Sequence, residues 1–158
     1  CGAVKNRYDD ATVMERPQEI LIDVIGLGSG VVDRLREQNL PVRGVNVAEA
    51  PSTKKNYLNL RAELWFAVKD WLAQRDCRLP EDDELASELA SPQYKYTSSG
   101  KVKIESKDEM RKRGIKSPDK ADALALTMAS SAASFSGSES VFGYNFKKPL
   151  KSRIIRVG

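Results

Sequence analysis

The chain has 158 residues, of which 41% are hydrophobic and 30% are charged, a balance typical of one soluble globular domain that can bury a core. It has two cysteines and no histidine, so histidine-dependent nucleophilic catalysis, histidine-bound zinc and a disulfide framework are unavailable to it. The formal net charge of +4 is mildly basic, and no apolar run approaches the roughly 20 residues of a membrane helix. We therefore expect a cytoplasmic protein without a membrane partner, whose chemistry depends on carboxylates, lysines, hydroxyls or a hard metal ion.

The first part of the chain is predicted to form a strand, helix and strand in succession. A polar helix over residues 3–14 precedes a strand over 19–25, a glycine turn over 26–30, a helix over 30–38 and a second strand over 42–47. This order is typical of a βαβ unit, so the two strands are expected to be parallel.

The glycine turn invites comparison with a dinucleotide-binding fingerprint. Its glycines are Gly26, Gly28 and Gly30, which is not the Gly-x-Gly-x-x-Gly spacing, and the preceding strand contains the charged Asp23. No Gly-x4-Gly-Lys-Ser/Thr phosphate loop occurs either. We expect no organic cofactor and interpret the glycines as a sharp turn between strand and helix.

The second part is predicted to be mainly helical. Helices are expected over residues 58–75, 80–89 and 107–113, with a β-hairpin formed by 93–97 and 101–105. A last helix follows Ser117, a good N-cap, and Pro118, which suits the first helical position. Residues beyond 130 are interpreted as a flexible linker, so the domain is predicted to span 1–132 and a flexible basic tail 133–158.

Three aspartates are candidate metal ligands. Asp119 and Asp122 lie three residues apart and should share one face of the last helix, while Asp23 lies in the strand-like run over 20–25. A charge inside a strand is costly unless it is paired or bound to a cation. Each acid also has a plain alternative, as a capping, dipole-favoured or exposed carboxylate, but their joint occurrence favours an acidic metal site.

A basic surface is predicted beside these acids. Its candidate DNA contacts are Lys101, Lys103, Lys107, Arg111 and Arg113. Cations that grip phosphates next to carboxylates that hold a metal are what a metal-dependent phosphodiesterase needs. The hairpin lysines could instead form a solvated edge that discourages aggregation, and composition alone does not decide between these interpretations.

The stretches 20–35, 105–114 and 117–126 carry a family likeness. They resemble the C-terminal nuclease domain of the large terminase subunit of tailed bacteriophages, over about residues 17–130. The resemblance implies an α/β, RNase H-like fold with a central mixed sheet flanked by helices. It also implies an endonuclease that hydrolyses DNA phosphodiester bonds during viral genome packaging.

The resemblance also implies a set of ligands and partners. Two Mg²⁺ or Mn²⁺ ions would be held by acids that Asp23, Asp119 and Asp122 match, without deciding which helix acid is the direct ligand. The implied partners are double-stranded DNA, the terminase small subunit, the portal protein and an upstream ATPase domain, in the cytoplasm of the bacterial host. The family's first catalytic aspartate lies on an opening strand that this sequence does not show. Either part of the N-terminal strands is missing from this chain, or the site is incomplete.

Three alternatives remain open. The same fold could serve as a non-catalytic DNA- or portal-docking domain, which would leave plasmid DNA intact in the presence of Mn²⁺. A recombination or transposition nuclease of the same fold is weaker, because the stretch 117–126 favours the packaging family. A nucleotide-binding enzyme with a Rossmann fold would be revealed by a nucleotide titration.

Overall fold

The computed structural model describes residues 1–52, 56–75 and 77–133, and for residues 130–133 it describes the backbone only. Within this part the chain forms two compact units that divide between Val47 and Ala48. None of the described helices is both long and apolar enough to cross a membrane. The predicted basic tail over 133–158 lies almost entirely outside the described residues, so it and the predicted domain division stay predictions.

The first unit contains a parallel βαβ arrangement, as predicted. Its elements are α1 (Gly2–Asp10), β1 (Ile20–Asp23), α2 (Gly28–Glu37) and β2 (Val42–Val45). Strands β1 and β2 are parallel, with Ile20 opposite Val42 and Asp23 opposite Val45. The helix α2 packs on both strands and buries Val32 and Leu35, because its apolar residues recur at helical spacing.

The glycine turn joins β1 to α2 and brings the start of the helix close to the backbone at the end of the strand. Gly26 has a φ of +71°, a left-handed conformation that glycine adopts at low cost. A Cβ atom at Gly28 would overlap the carbonyl oxygen of Asp23, whereas nothing lies within 4 Å of the same position at Gly30. The helix therefore begins two residues earlier than predicted, because Gly28 can start it directly against the end of the strand.

The described residues of the second unit form four helices and an antiparallel hairpin. Its elements are α3 (Leu60–Ala73), α4 (Asp83–Ala90), β3 (Tyr94–Tyr96), β4 (Val102–Ile104), α5 (Lys107–Lys112) and α6 (Asp119–Ala133). The helix α6 packs against α3 and α4, and α3 also packs against β4. One face of α6 is fully buried, since Ala121, Leu124, Ala125 and Met128 are all at most 3% exposed.

The segment between the hairpin and α6 is fixed by local capping. Ser106 and Glu109 form a capping box at the start of α5, in which each side chain accepts from the other residue's backbone N–H. Gly114, with a φ of +75°, ends the helix as predicted. These contacts hold Lys107, in the first turn of α5, on a rigid element next to the start of α6.

The described strands form two separate two-stranded sheets, one parallel and one antiparallel. Helices account for most of the remaining regular structure in both units. The predicted α/β class is confirmed, and each small sheet packs against at least one helix of its own unit. The single central mixed sheet that was predicted is not formed by the described residues, whose parallel and antiparallel strands belong to different sheets.

Candidate metal centre

The first turn of α6 places two carboxylates on the same side of the helix. The Pro118 carbonyl accepts the Asp122 N–H at 2.8 Å, which is the first hydrogen bond of the helix. The Ser117 hydroxyl donates to the Asp119 carboxylate at 2.6 Å. Because residues three apart share a helix face, Asp119 and Asp122 both reach the ammonium of Lys107, which confirms their predicted common orientation.

Asp122 has the more enclosed carboxylate of the two. Its side chain is 22% exposed, against 75% for Asp119. Its Oδ1 atom accepts from the Arg61 guanidinium and from the Trp65 indole N–H, both on α3, at 2.8–3.2 Å. Its Oδ2 atom lies 3.3 Å from the Lys107 ammonium. The two oxygens of Asp122 thus have different partners.

Lys107 joins the two acids. Its ammonium lies 3.1 Å from Asp119 Oδ1 and 3.3 Å from Asp122 Oδ2. Burial alone would lower the pKa of Lys107, but the hydrogen bond to Asp119 and the charge of Asp122 outweigh it and raise the pKa above the ordinary lysine value. The hydroxyl of Ser117, with help from Lys107, lowers the pKa of Asp119. Lys107 and Asp119 are therefore both charged at neutral pH.

The geometry suits a hard cation. Two carboxylate oxygens from the first turn of α6 converge on one point, and a positive charge already lies there. Carboxylate oxygens are the ligands that Mg²⁺ and Mn²⁺ prefer. A divalent ion could replace the Lys107 ammonium at this point, because the side chain of Lys107 is 48% exposed and flexible enough to move aside.

Asp23 lies in the other unit and has a different environment from the one that its sequence context suggested. It is the last residue of β1 and is exposed, and its Oδ1 accepts from the Ile25 N–H at 3.0 Å. The idea that its charge is buried and needs a cation is wrong, because the strand ends at this residue. No group of three or more acidic or cysteine side chains able to hold a metal ion occurs among residues 1–52, 56–75 and 77–133. The role of Asp23 as a ligand remains a prediction from the sequence.

Four of the five predicted DNA contacts form ion pairs with carboxylates. Lys107 bridges the two acids, Lys103 lies 3.4 Å from Glu109, and Arg111 lies 3.0 Å from Asp108. Arg113 makes two hydrogen bonds of 2.7 Å to Glu105. No ion pair to Lys101 is found within the part of the chain that the structure describes. These pairs reduce the local positive charge, and the predicted DNA contacts remain predictions.

Sequence reasoning missed the two α3 residues that bind Asp122. Trp65 is buried at 7% exposure, and a buried indole N–H needs a hydrogen-bond partner. Arg61 precedes Leu64 by three residues and Trp65 by four, so it lies on the same face of the helix as these two buried side chains. A cation on an apolar stripe requires an acidic partner, and that signal could have identified Arg61 as a site residue.

Comparison with solved structures identifies the same fold in one nuclease domain. The nuclease domain of the large terminase subunit gp2 of bacterial virus Sf6 is 24% identical, with a TM-score of 0.59, over 71% of this chain and 65% of that one. A lysine-to-alanine mutant of that domain with manganese is 23% identical, with a TM-score of 0.60, over 71% and 66%. The same mutant with calcium is 23% identical, with a TM-score of 0.59, over 71% and 65%.

The chain therefore has the fold of a terminase nuclease domain, and the predicted RNase H-like class is confirmed. It spans about two thirds of the length of the domains that it matches. No protein-family model matches the sequence, and no curated protein matches it.

Proposed function

We propose that this chain is the nuclease portion of a phage terminase large subunit and hydrolyses DNA phosphodiester bonds with the help of divalent metal ions. One observation carries the proposal. Asp119 Oδ1 and Asp122 Oδ2 converge on a single cation position at the first turn of α6. The fold that presents these acids is shared with a nuclease domain that has been solved, as a lysine-to-alanine mutant, with manganese.

The acidic residues of the second unit would bind the metal ion. Asp119 and Asp122 would hold Mg²⁺ or Mn²⁺ once the Lys107 ammonium moves away from the carboxylates. A bound metal ion of this kind activates water as the nucleophile and stabilises the leaving oxygen, and a second ion about 4 Å away can share these tasks. Asp23 is proposed as a further ligand on the strength of its sequence context alone.

The basic residues would bind the phosphates of double-stranded DNA. Arg111 is the most available of the paired cations, because its side chain is 77% exposed and that of its partner Asp108 is 80% exposed. An exposed ion pair contributes little free energy, so a phosphate can replace the carboxylate at small cost. Lys101 and Lys103 would contact the backbone from the hairpin. Arg113 would mainly fix the Glu105 segment through its paired hydrogen bonds. Because each phosphate contact releases a counterion, binding would weaken steeply with salt.

The wider setting follows from the family resemblance. The partners would be the terminase small subunit, the portal protein and an ATPase domain upstream in the same polypeptide. The reaction would take place in the cytoplasm of the bacterial host, during packaging by a phage or prophage.

Plasmid cleavage tests the proposal. Supercoiled plasmid incubated with the full chain and Mn²⁺ should be nicked and linearised, and chelation of the ion should stop the reaction. Asp122→Asn should abolish cleavage because it removes a ligand charge. Asp33→Asn is the matched control, since Asp33 is an exposed acid 3.9 Å from Arg36 and should leave cleavage unchanged. Intact plasmid with correctly folded protein would refute nuclease activity.

A non-catalytic docking domain is the second candidate. It is favoured by the pairing of Lys107 with both acids and of Arg61 with Asp122, because these two cations balance the two negative charges of the first turn of α6. Such a domain would bind the DNA or the portal and leave the DNA intact. A gel-retardation assay in parallel with the cleavage assay separates the two candidates, because only the docking domain retards DNA that it never cuts.

A further inference from the structure

The guanidinium of Arg61 links three segments of the second unit. Its Nε and one terminal nitrogen donate to Asp122 Oδ1 at 3.2 and 3.1 Å, and the other terminal nitrogen donates to the Glu105 carbonyl at 2.7 Å. The side chain is only 15% exposed. Arg61 therefore ties α3 both to α6 and to the backbone just before Lys107, with each of its three nitrogens in use.

Trp65 adds a third donor to the same oxygen. It follows Arg61 by one helical turn, and its indole N–H lies 2.8 Å from Asp122 Oδ1. The Arg61 guanidinium also lies over the Trp65 ring, 5.7 Å from its centroid. Three N–H groups thus converge on one carboxylate oxygen, which has two lone pairs to offer. Oδ1 is saturated and is not available to a metal ion.

The second oxygen of Asp122, Oδ2, has a more distant and more mobile partner. Within the described residues its partner is the Lys107 ammonium at 3.3 Å, at the long end of the hydrogen-bond range. Asp119 has no comparable support, since its bonds come from Ser117, two residues away, and from Lys107. Of the two acids on this helix face, only Asp122 has its carboxylate plane fixed by rigid donors on another helix.

We propose that Arg61 and Trp65 are positioning residues that fix the Asp122 carboxylate so that Oδ2 alone faces the metal ion. This inference rests on the proposed metal-dependent function and deepens it, because it makes Asp122 the preorganised ligand of the pair and Asp119 the adaptable one. Hydrogen bonds to the far oxygen of a ligating carboxylate set its orientation and basicity, and their loss typically weakens metal binding by about 10- to 100-fold.

A purely structural role is the competing explanation. A buried ion pair between α3 and α6 could simply join two helices, in which case its loss would lower stability and leave metal affinity unchanged. The Trp65 N–H separates the two explanations. A phenylalanine fills nearly the same core space and keeps the aromatic face under Arg61, but it cannot donate to Asp122.

The experiment uses two readouts that do not depend on cleavage. Trp65 and Trp71 are the two tryptophans of the chain, so Trp71→Phe leaves one indole N–H signal to follow by NMR. In this background Asp122→Asn should shift the Trp65 signal strongly, whereas Asp119→Asn should shift it little. Mn²⁺ affinity is then measured by calorimetry for the full chain and its variants, with circular dichroism to establish that each is folded.

Trp65→Phe should weaken Mn²⁺ binding about tenfold, and Arg61→Lys, which breaks the paired donors, by about 10- to 100-fold. Arg34→Lys is the matched control, because Arg34 forms an exposed pair with Glu37 in the first unit and should leave the affinity unchanged. If Arg61→Lys does not fold, Trp65→Phe decides the question alone. Wild-type affinity in folded Trp65→Phe, with lower thermal stability, would overturn the positioning role and leave the nuclease proposal standing. Lack of Mn²⁺ binding by the parent protein would overturn both.

Discussion

Removal of Lys107 should strengthen metal binding. Its ammonium lies 3.1 and 3.3 Å from the carboxylate oxygens that would hold the ion, so a metal must displace it. Exposed or half-exposed ion pairs contribute about 0.2–1 kcal/mol each, so the displacement costs roughly 0.4–2 kcal/mol for the two pairs. Lys107→Met removes this cost and should tighten Mn²⁺ binding by about 2- to 30-fold.

Calorimetric titration of the full chain with Mn²⁺ and with Ca²⁺ at constant ionic strength measures this change. Lys69→Met is the matched control, because it removes the same charge from a lysine that lies 3.9 Å from Asp70 on α3 and contacts neither carboxylate. Both lysines lie in the second unit, so a general effect of net charge would change both affinities alike. Equal or weaker Mn²⁺ binding by Lys107→Met would refute the idea that the ion takes the place of the ammonium.

Two further predictions concern the βα turn and the acid dependence of the site. Gly28→Ala should destabilise the fold by more than about 1 kcal/mol because its Cβ would overlap the Asp23 carbonyl oxygen, whereas Gly30→Ala, in open space, should stabilise it by about 0.5–1 kcal/mol. Urea denaturation of the two variants checks this, and equal midpoints would contradict the close approach of Gly28 to the end of β1. Because the folded pKa of Asp119 is lowered, its stabilising contribution is present above the unfolded pKa and is lost as the pH falls through the folded pKa. Ser117→Ala should raise the Asp119 pKa and move that loss to higher pH, which an NMR titration of the carboxyl group would show.

Much of the local structure was predictable from the sequence. The apolar spacing of α6, the βαβ order of the first unit and the hairpin around Gly100 all depend on periodicities of a few residues. The predicted ends of the helices were less accurate. The first backbone hydrogen bond of α6 is accepted by the Pro118 carbonyl, one residue after the predicted N-cap Ser117, whose hydroxyl donates to the Asp119 carboxylate.

The candidate site was predictable only in part. The common face of Asp119 and Asp122 followed from their spacing of three residues, and the structure confirms it. The environment of Asp23 was misjudged, because the apolar residues on both sides of it do not reveal that the strand ends at this acid. Its proposed contribution to a metal site still depends on the sequence.

The sequence by itself therefore determined which residues share a helix face, because the α-helical repeat is a local property of the backbone. Only the tertiary structure decided what those residues bind. Arg61 and Trp65 reach Asp122 across 61 and 57 positions of sequence, through the packing of α3 against α6. The same packing divides the two oxygens of Asp122 between rigid donors and a movable ammonium, a distinction that no local pattern encodes.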